Sequence, residues 1–140
     1  MSTPYPDLRH FTLRDHGNRV GAWRLLDALA EAGLSASFAI NAALAGRCPE
    51  LMLAIRESGA EVLGHSWNMD SVHAGDLDEA TERELIRRSL GALQATFKRE
   101  IVGWLSPGRL ETARTPELLH EAGIRNFADW VNDELPYTFR

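Results

Sequence analysis

Three short junctions of one kind most constrain how this chain can fold. A glutamate, a small residue and a glycine end a helical pattern at Glu31–Gly33, Glu57–Gly59 and Glu121–Gly123, and each triplet runs directly into a short apolar segment. Glycine in the left-handed conformation is a common helix terminator, and apolar runs of this length are typical of strands. The chain is therefore predicted to repeat a helix–strand unit, as parallel α/β sheets do.

The periodicity of apolar residues predicts where these units lie. Strands are predicted at residues 34–40, 61–65, 101–105 and 124–130. Helices are predicted from Asn18, from Pro49, after Asp76 and from Thr115. Asp76 with Glu79 three residues later resembles a capping box, and Glu84 and Arg88 are predicted to pair within the same helix. Residues 1–16 are predicted to be an irregular N-terminal arm, and residues 17–140 a single α/β domain.

Length and composition limit the possible functions. A chain of 140 residues with 44% hydrophobic and 25% charged residues is ordinary for one globular domain. A net charge of −5 without a Lys/Arg run argues against a nucleic-acid partner. No apolar stretch approaches the ~18 residues of a membrane span. Residues 1–7 lack the pattern of a signal peptide, so a cytoplasmic location is expected.

Polar and aromatic residues follow each predicted strand. In parallel α/β folds, ligands bind at the carboxyl ends of the strands. The residues at those ends are Asn41, His65–Asn68, Ser106–Arg109 and Asp129–Asp133. Because these ends meet at one edge of a parallel sheet, a single site is predicted there, centred on Gly64–Trp67.

The candidate residues have functional and structural interpretations. His65 can bind a metal as neutral imidazole, act as an acid or base near neutral pH, or be a hydrogen-bonded structural residue. Asp129 can accept a proton, orient His65 or cap the following turn. Arg109 can bind an anion or a carbonyl oxygen, or lie solvated in its loop, and Trp67 can floor a pocket or be packed. Further candidate substrate contacts are Ser66, Trp130 and Asp133.

Several familiar catalytic patterns are absent from the sequence. It contains no Gly-rich phosphate loop, no His-Glu-x-x-His and no Cys-x-x-Cys, and neither Ser66 nor Ser106 lies in a G-x-S-x-G motif. A nucleotide enzyme, a zincin and a serine hydrolase are therefore disfavoured. His73 lies eight residues after His65 in a glycine-containing loop, and a surface position is expected for it.

Five segments together resemble the polysaccharide deacetylase (NodB-homology) superfamily, and in particular its allantoinase-like branch. They are Asp15–Gly21, Gly64–Trp67, Gly103–Gly108, Thr112–Gly123 and Asp129–Tyr137. They cover most of residues 14–137 in the family's order and spacing. The resemblance implies a partial (β/α) barrel of about four parallel strand–helix units. It also implies hydrolysis of an amide-type, non-peptide C–N bond by water that a divalent metal such as zinc and a carboxylate base activate.

Three parts of the family pattern have no counterpart here. The early strand ending in an Asp-Asp pair, which supplies the base and one metal ligand, is not matched, and neither are the late strands with a further histidine. The metal-binding motif His-Ser-x-x-His reads His65-Ser66-Trp67-Asn68-Met69. A neutral thioether is a poor ligand for zinc, and catalytic zinc normally has three protein ligands. The resemblance thus implies His65 as a metal ligand with Met69 at the second ligand position.

Two functions remain open at this point. The first is a C–N hydrolase for a small-molecule or sugar-like substrate, with His65 and Asp129 as catalytic residues. The second is an inactive half-barrel that binds a small ligand or nothing. A flavodoxin-like module would explain the alternation but not the ordered motifs. Because four strands cannot close a barrel of about eight and would leave open edges, a homodimer or higher homo-oligomer is expected.

Overall fold

Helices and strands alternate along the part of the chain that the structure, a computed structural model, describes: residues 8–130 and 138. The elements in order are α1 Leu8–His16, a π-helical turn Gly17–Gly21, α2 Ala22–Ala32, β1 Ser37–Ile40, α3 Leu44–Arg47, α4 Pro49–Glu57, β2 Glu61–Gly64, α5 Glu79–Phe97, β3 Gly103–Trp104, a 3-10 turn Pro107–Arg109, α6 Thr115–Glu121 and β4 Asn126–Phe127. The predicted strand positions are confirmed, although each strand is shorter than expected.

The strands form one parallel sheet in the order β1-β2-β3-β4. Each strand therefore pairs with the next one along the chain, as in consecutive units of a (β/α) barrel. The register aligns Ile40 with Gly64, Gly64 with Trp104, and Trp104 with Phe127. The chain segments that follow these positions consequently leave the sheet side by side at one edge.

The N-terminal segment differs from the irregular arm predicted for it. Residues Leu8–His16 are helical and continue through the π-helical turn into α2. Leu8, Phe11 and Leu13 are all exposed, so this helix has no buried apolar face. Without such a face, the sequence shows no apolar period that would predict the helix. The irregular conformation is thus wrong for residues 8–16, while the division into an arm and a domain stays a prediction. None of the described helices is long and apolar enough to cross a membrane.

The apolar core lies between the sheet and helices α4, α5 and α6. Its largest fully buried apolar side chains are Trp104, Met52, Ile86, Leu93, Ile101, Leu118 and Leu119. Gly64 is required where β2 meets this core, because a Cβ there would lie 2.5 Å from Cε3 of Trp104. The indole ring thus packs directly on the backbone of β2. This close approach places the residue after Gly64, His65, beside the end of β3.

Helix α5 begins at a different N-cap from the one predicted. The Asp78 carboxylate accepts hydrogen bonds from the Thr81 amide at 3.0 Å and from the Thr81 hydroxyl at 2.6 Å. These two bonds lower the pKa of the Asp78 carboxyl, and the bond from the hydroxyl has the larger effect. Asp76 lies two residues too early, because the extended backbone that a cap needs occurs at Asp78, with φ −70° and ψ 148°. The capping box at Asp76 is therefore wrong.

The ion pair predicted along α5 also has another partner. Glu84 binds the guanidinium of Arg87 through two bonds of 2.7 Å, one turn away. The guanidinium of Arg88 instead lies 3.6 Å from the centroid of the Trp67 ring, a cation–π contact. The pairing of Glu84 with Arg88 is therefore wrong, because Arg88 stacks on the loop that follows β2.

Candidate functional site

His65 and Asp129 are held on either side of one peptide unit, the one between Leu105 and Ser106. Nδ1 of His65 is hydrogen-bonded to the carbonyl oxygen of Leu105, and Oδ1 of Asp129 accepts a bond of 2.6 Å from the Ser106 amide. Because β3 lies between β2 and β4, the segment that follows it separates the other two strand ends. The carbonyl and amide of a planar trans peptide point in opposite directions, so this unit can bind one side chain on each side.

The bond to Leu105 determines which nitrogen of the His65 ring carries a proton. A carbonyl oxygen can only accept, so Nδ1 must be the donor. Nε2 has no hydrogen-bond partner among the described residues, and the side chain is half-buried. The side-chain amide of Asn41 donates to the His65 carbonyl, and the His65 amide donates to Ile40 at 3.1 Å. The neutral ring therefore presents a fixed lone pair at Nε2.

The carboxylate of Asp129 is buried, and only one of its two oxygens has a hydrogen-bond partner among the described residues. Its side chain is 5% exposed, and Oδ2 is buried without a hydrogen-bond partner in residues 8–130. No hydrogen bond joins it to His65 within that range. Asp129 is linked to His65 through the Leu105–Ser106 peptide, and the roles predicted for it, including orientation of His65 and direct proton transfer to a substrate, stay predictions.

The predicted contacts Ser66, Trp67 and Arg109 lie at different depths. Ser66 is fully buried, and its hydroxyl donates to the Ser71 carbonyl at 2.8 Å, so it closes its own loop. Trp67 is half-buried against the core, under Arg88. Arg109 is exposed and has a positive φ of 55° in the 3-10 turn. Ser66 is thus enclosed while Arg109 is open to solvent, and the substrate contacts of Ser66, Trp67 and Arg109 stay predictions.

The remaining predicted residues lie at or beyond the end of the described segment. Trp130 is 40% exposed, its indole N–H donates to Glu111, and its ring meets the Phe127 ring edge-on at 5.9 Å. The sequence patterns do not predict Glu111 as a site residue. Its second oxygen, Oε2, is buried without a hydrogen-bond partner in the described part of the chain. Asp133 lies outside the described residues.

His73 is buried, which contradicts the surface position expected for it. Its side chain is 0% exposed, and Nδ1 lies 2.8 Å from Oε1 of Glu82, which is equally buried. Glu82 also accepts hydrogen bonds from the hydroxyls of Thr112 at 2.8 Å and Thr115 at 2.5 Å. The sequence carries one signal for this network, since Glu82 continues the apolar stripe of α5 one turn before Ile86.

The family model for polysaccharide deacetylases matches residues 12–127 of this chain, which is most of its length. The chain belongs to the polysaccharide deacetylase family. The family resemblance read from the five sequence segments is thereby confirmed. A search of curated proteins found no significant match.

Solved structures of polysaccharide deacetylase relatives share the fold. Puue allantoinase is 27% identical with a TM-score of 0.83, over 93% of this chain and 42% of that one. A Mycobacterium smegmatis protein described as a polysaccharide deacetylase is 30% identical with a TM-score of 0.75, over 86% and 40%. A Pseudomonas aeruginosa PAO1 protein described likewise is 29% identical with a TM-score of 0.77, over 90% and 41%. The chain thus spans about two fifths of these relatives, as the predicted partial barrel requires.

The metal that the family implies does not fit the residues in view. Within residues 8–130, no three His, Cys, Asp or Glu side chains cluster closely enough to hold a metal ion. Met69, at the second ligand position of the family motif, is 42% exposed and offers only a thioether. His65 contributes one free imidazole nitrogen, whereas a catalytic zinc ion takes three protein ligands. The side chains in the described part of this chain therefore do not fit a catalytic zinc ion.

Proposed function

We propose that this chain provides the acid–base half of a hydrolase site for amide-type C–N bonds outside peptides, with a small-molecule or sugar-like substrate. The observation that carries the proposal is the Leu105–Ser106 peptide, which holds His65 on one side and Asp129 on the other. The arrangement lies at the carboxyl edge of the sheet, where α/β folds bind ligands. The relatives that support the reaction class are named as deacetylases and an allantoinase.

His65 is the catalytic residue in this proposal. Its unpartnered Nε2 accepts a proton from water as the water oxygen bonds to the substrate carbonyl carbon. The same proton is then given to the nitrogen as the C–N bond breaks, so the ring returns to its starting state. The Leu105 carbonyl stabilises the intermediate imidazolium through Nδ1–H, and Asp129 acts as a positioning residue by binding the Ser106 amide.

Two residues at the rim of the site are proposed to bind the substrate. The exposed guanidinium of Arg109 supplies a cation for a carbonyl oxygen, a role that hydrogen-bond donors fulfil in acyl transfer. The half-buried ring of Trp67, which follows β2 and which Arg88 covers on one face, is proposed to supply an apolar surface. Aromatic faces of this kind suit both a sugar ring and a small heterocycle.

Ligand binding without catalysis is a second candidate function, and the residue at position 69 favours it. Met69 stands where the family's metal motif has a histidine, and no cluster of metal ligands occurs in residues 8–130. A site with one imidazole and one positioned carboxylate can still bind a small amide-containing ligand. The divalent metal would then have no role in this chain.

We further propose that the chain acts as a homodimer. Among the described residues, the sheet ends in β1 on one side and β4 on the other, and unpaired strand edges favour pairing with another chain. A second copy would add a further arc of sheet toward the length that the relatives span, a little over twice that of this chain. A cytoplasmic location likewise stays a prediction.

Hydrolysis of two probes tests the proposal. The purified chain is incubated with an N-acetylated chitooligosaccharide and with allantoin, with and without zinc, and the release of acetate or allantoate is measured. Hydrolysis is expected to fall at least about 100-fold in His65→Ala. His120→Ala is the matched control, because His120 is an exposed histidine near the end of α6.

The outcomes separate the two candidate functions. Hydrolysis that His65→Ala leaves at the wild-type rate would refute the acid–base role. Calorimetric binding of either probe, with no hydrolysis, would establish the second function instead. Elemental analysis of the purified chain is expected to show no stoichiometric zinc. Stoichiometric zinc that is lost in His65→Ala would contradict the conclusion that the described residues supply too few ligands for zinc.

A further inference from the structure

We propose that Glu82 and His73 form a buried positioning unit that sets the location of the Leu105–Ser106 peptide, and through it the locations of His65 and Asp129. Neither residue belongs to the site itself. What the positioned side chains do rests on the proposed function, but the positioning can be measured without substrate.

Glu82 joins the two loops that carry the candidate site. Its carboxylate meets His73, from the loop between β2 and α5, and the hydroxyls of Thr112, from the segment between β3 and α6, and of Thr115, the first residue of α6. Three donors converge on one carboxylate whose side chain is 1% exposed. Charge-assisted bonds in such surroundings are short and geometrically specific, so this carboxylate fixes both loops against α5.

His73 passes this constraint on to the end of β3. Its ring meets the Trp104 ring edge-on, with the centroids 5.6 Å apart and an interplanar angle of 85°. Trp104 is fully buried, and its indole N–H donates to the Ser106 hydroxyl at 3.0 Å. The Ser106 amide in turn holds Asp129. A continuous series of contacts therefore runs from Glu82 through His73 and Trp104 to the peptide that separates the two candidate residues.

The same tryptophan also constrains the strand end that carries His65. The Trp104 ring lies where a side chain on Gly64 would stand, directly before His65. Movement of this ring would thus displace His65 and Ser106 together. An apolar side chain at position 73 would pack against the ring equally well, but it would lack the Nδ1–H that binds Glu82.

One polar atom of the pair points to more than a packing role. Nε2 of His73 is buried without a hydrogen-bond partner in residues 8–130. Buried polar groups are nearly always partnered, and an exception calls for a reason. Here the reason is that the imidazole is retained for its other nitrogen, which must reach Glu82. Asparagine places an amide N–H near the position of Nδ1 and lacks the ring, so it is the conservative replacement.

Nuclear magnetic resonance of the 140-residue chain tests this inference. The signals followed are the Ser106 backbone amide, the Trp104 indole N–H and the ring nitrogens of His65. His73→Leu and Glu82→Gln are expected to shift all three signals several-fold more than Glu79→Gln does. Glu79 is the control because it lies on the same helix with an exposed carboxylate that binds Arg83. His73→Asn keeps an N–H toward Glu82 but loses the ring that meets Trp104, so it is expected to shift the signals less than His73→Leu does without restoring them fully.

The contrary result is equally clear. Folded His73→Leu and Glu82→Gln proteins whose three signals match the wild type would overturn the inference. If neither variant folds, Thr112→Val removes one donor from the same carboxylate while leaving the Glu82–His73 pair, and the same three signals must move. None of these signals needs a substrate, so a chain that fails the hydrolysis assay does not decide the outcome.

Discussion

Replacing Gly64 with alanine is expected to destabilise the protein by about 2 kcal/mol. The new Cβ would lie 2.5 Å from Cε3 and 2.7 Å from Cζ3 of Trp104. The ring is fully buried and hydrogen-bonded to Ser106, so it cannot retreat without disturbing that bond. Overpacking of a core costs about 1–3 kcal/mol, and so close a contact belongs at the upper end. Alanine also restricts the backbone of the unfolded chain, which stabilises the folded state by about 0.4–1 kcal/mol. The net loss of stability is therefore about 2 kcal/mol.

Urea denaturation followed by circular dichroism measures this loss. Gly91→Ala provides the matched control, because a Cβ at this exposed position of α5 meets nothing within 4 Å. Alanine there should stabilise the helix by about 0.5–1 kcal/mol, so the two identical substitutions are expected to have opposite signs. A Gly64→Ala protein as stable as the wild type would refute the close packing of Trp104 on β2.

Three further predictions follow from the contacts described. Asp78→Ala should lower the melting temperature at neutral pH, whereas Asp76→Ala should not. Hydrogen bonds lower the pKa of the Asp78 carboxyl in the folded state. The difference in melting temperature between the two variants should therefore be largest above the ordinary aspartate pKa, and it should vanish as the pH falls through the lowered pKa. Asp129→Ala should cost about 1–3 kcal/mol in urea, since it leaves the buried Ser106 amide without its acceptor, and Asp129→Asn should cost less. Light scattering at micromolar concentration should give twice the chain mass, and a well-folded monomer would contradict the homodimer.

The alternation of helix and strand could be predicted because its signals are local. Gly33, Gly59 and Gly123 all have positive φ, at 64°, 74° and 92°, as the junction triplets indicated. The N-cap of α5 was missed because Asp76 has a glutamate three residues later whereas Asp78 has Thr81, so the capping-box pattern selects Asp76 although the cap geometry occurs at Asp78. Helix α1 was missed because a helix without a buried face shows no apolar period.

The candidate site could be predicted as a location but not as a geometry. Parallel topology alone brings His65 and Asp129 to the same edge of the sheet. That they meet through the backbone of Leu105 and Ser106 depends on register, which no single residue reveals. The burial of His73 depends on Glu82 and on Thr115, 33 residues further along the chain from Glu82. Such long-range partners leave only a weak trace, an acidic residue on the apolar stripe of α5.

The protonation pattern of the His65 ring tests the proposed site most directly. A long-range ¹H–¹⁵N correlation spectrum, with the His65 signals identified by their loss in His65→Ala, reports which nitrogen carries the proton in the neutral ring. Protonated Nδ1 with unprotonated Nε2 is the expected result, because the Leu105 carbonyl can only accept. A neutral ring protonated at Nε2 would contradict both the bond to Leu105 and the free lone pair on which the acid–base role depends.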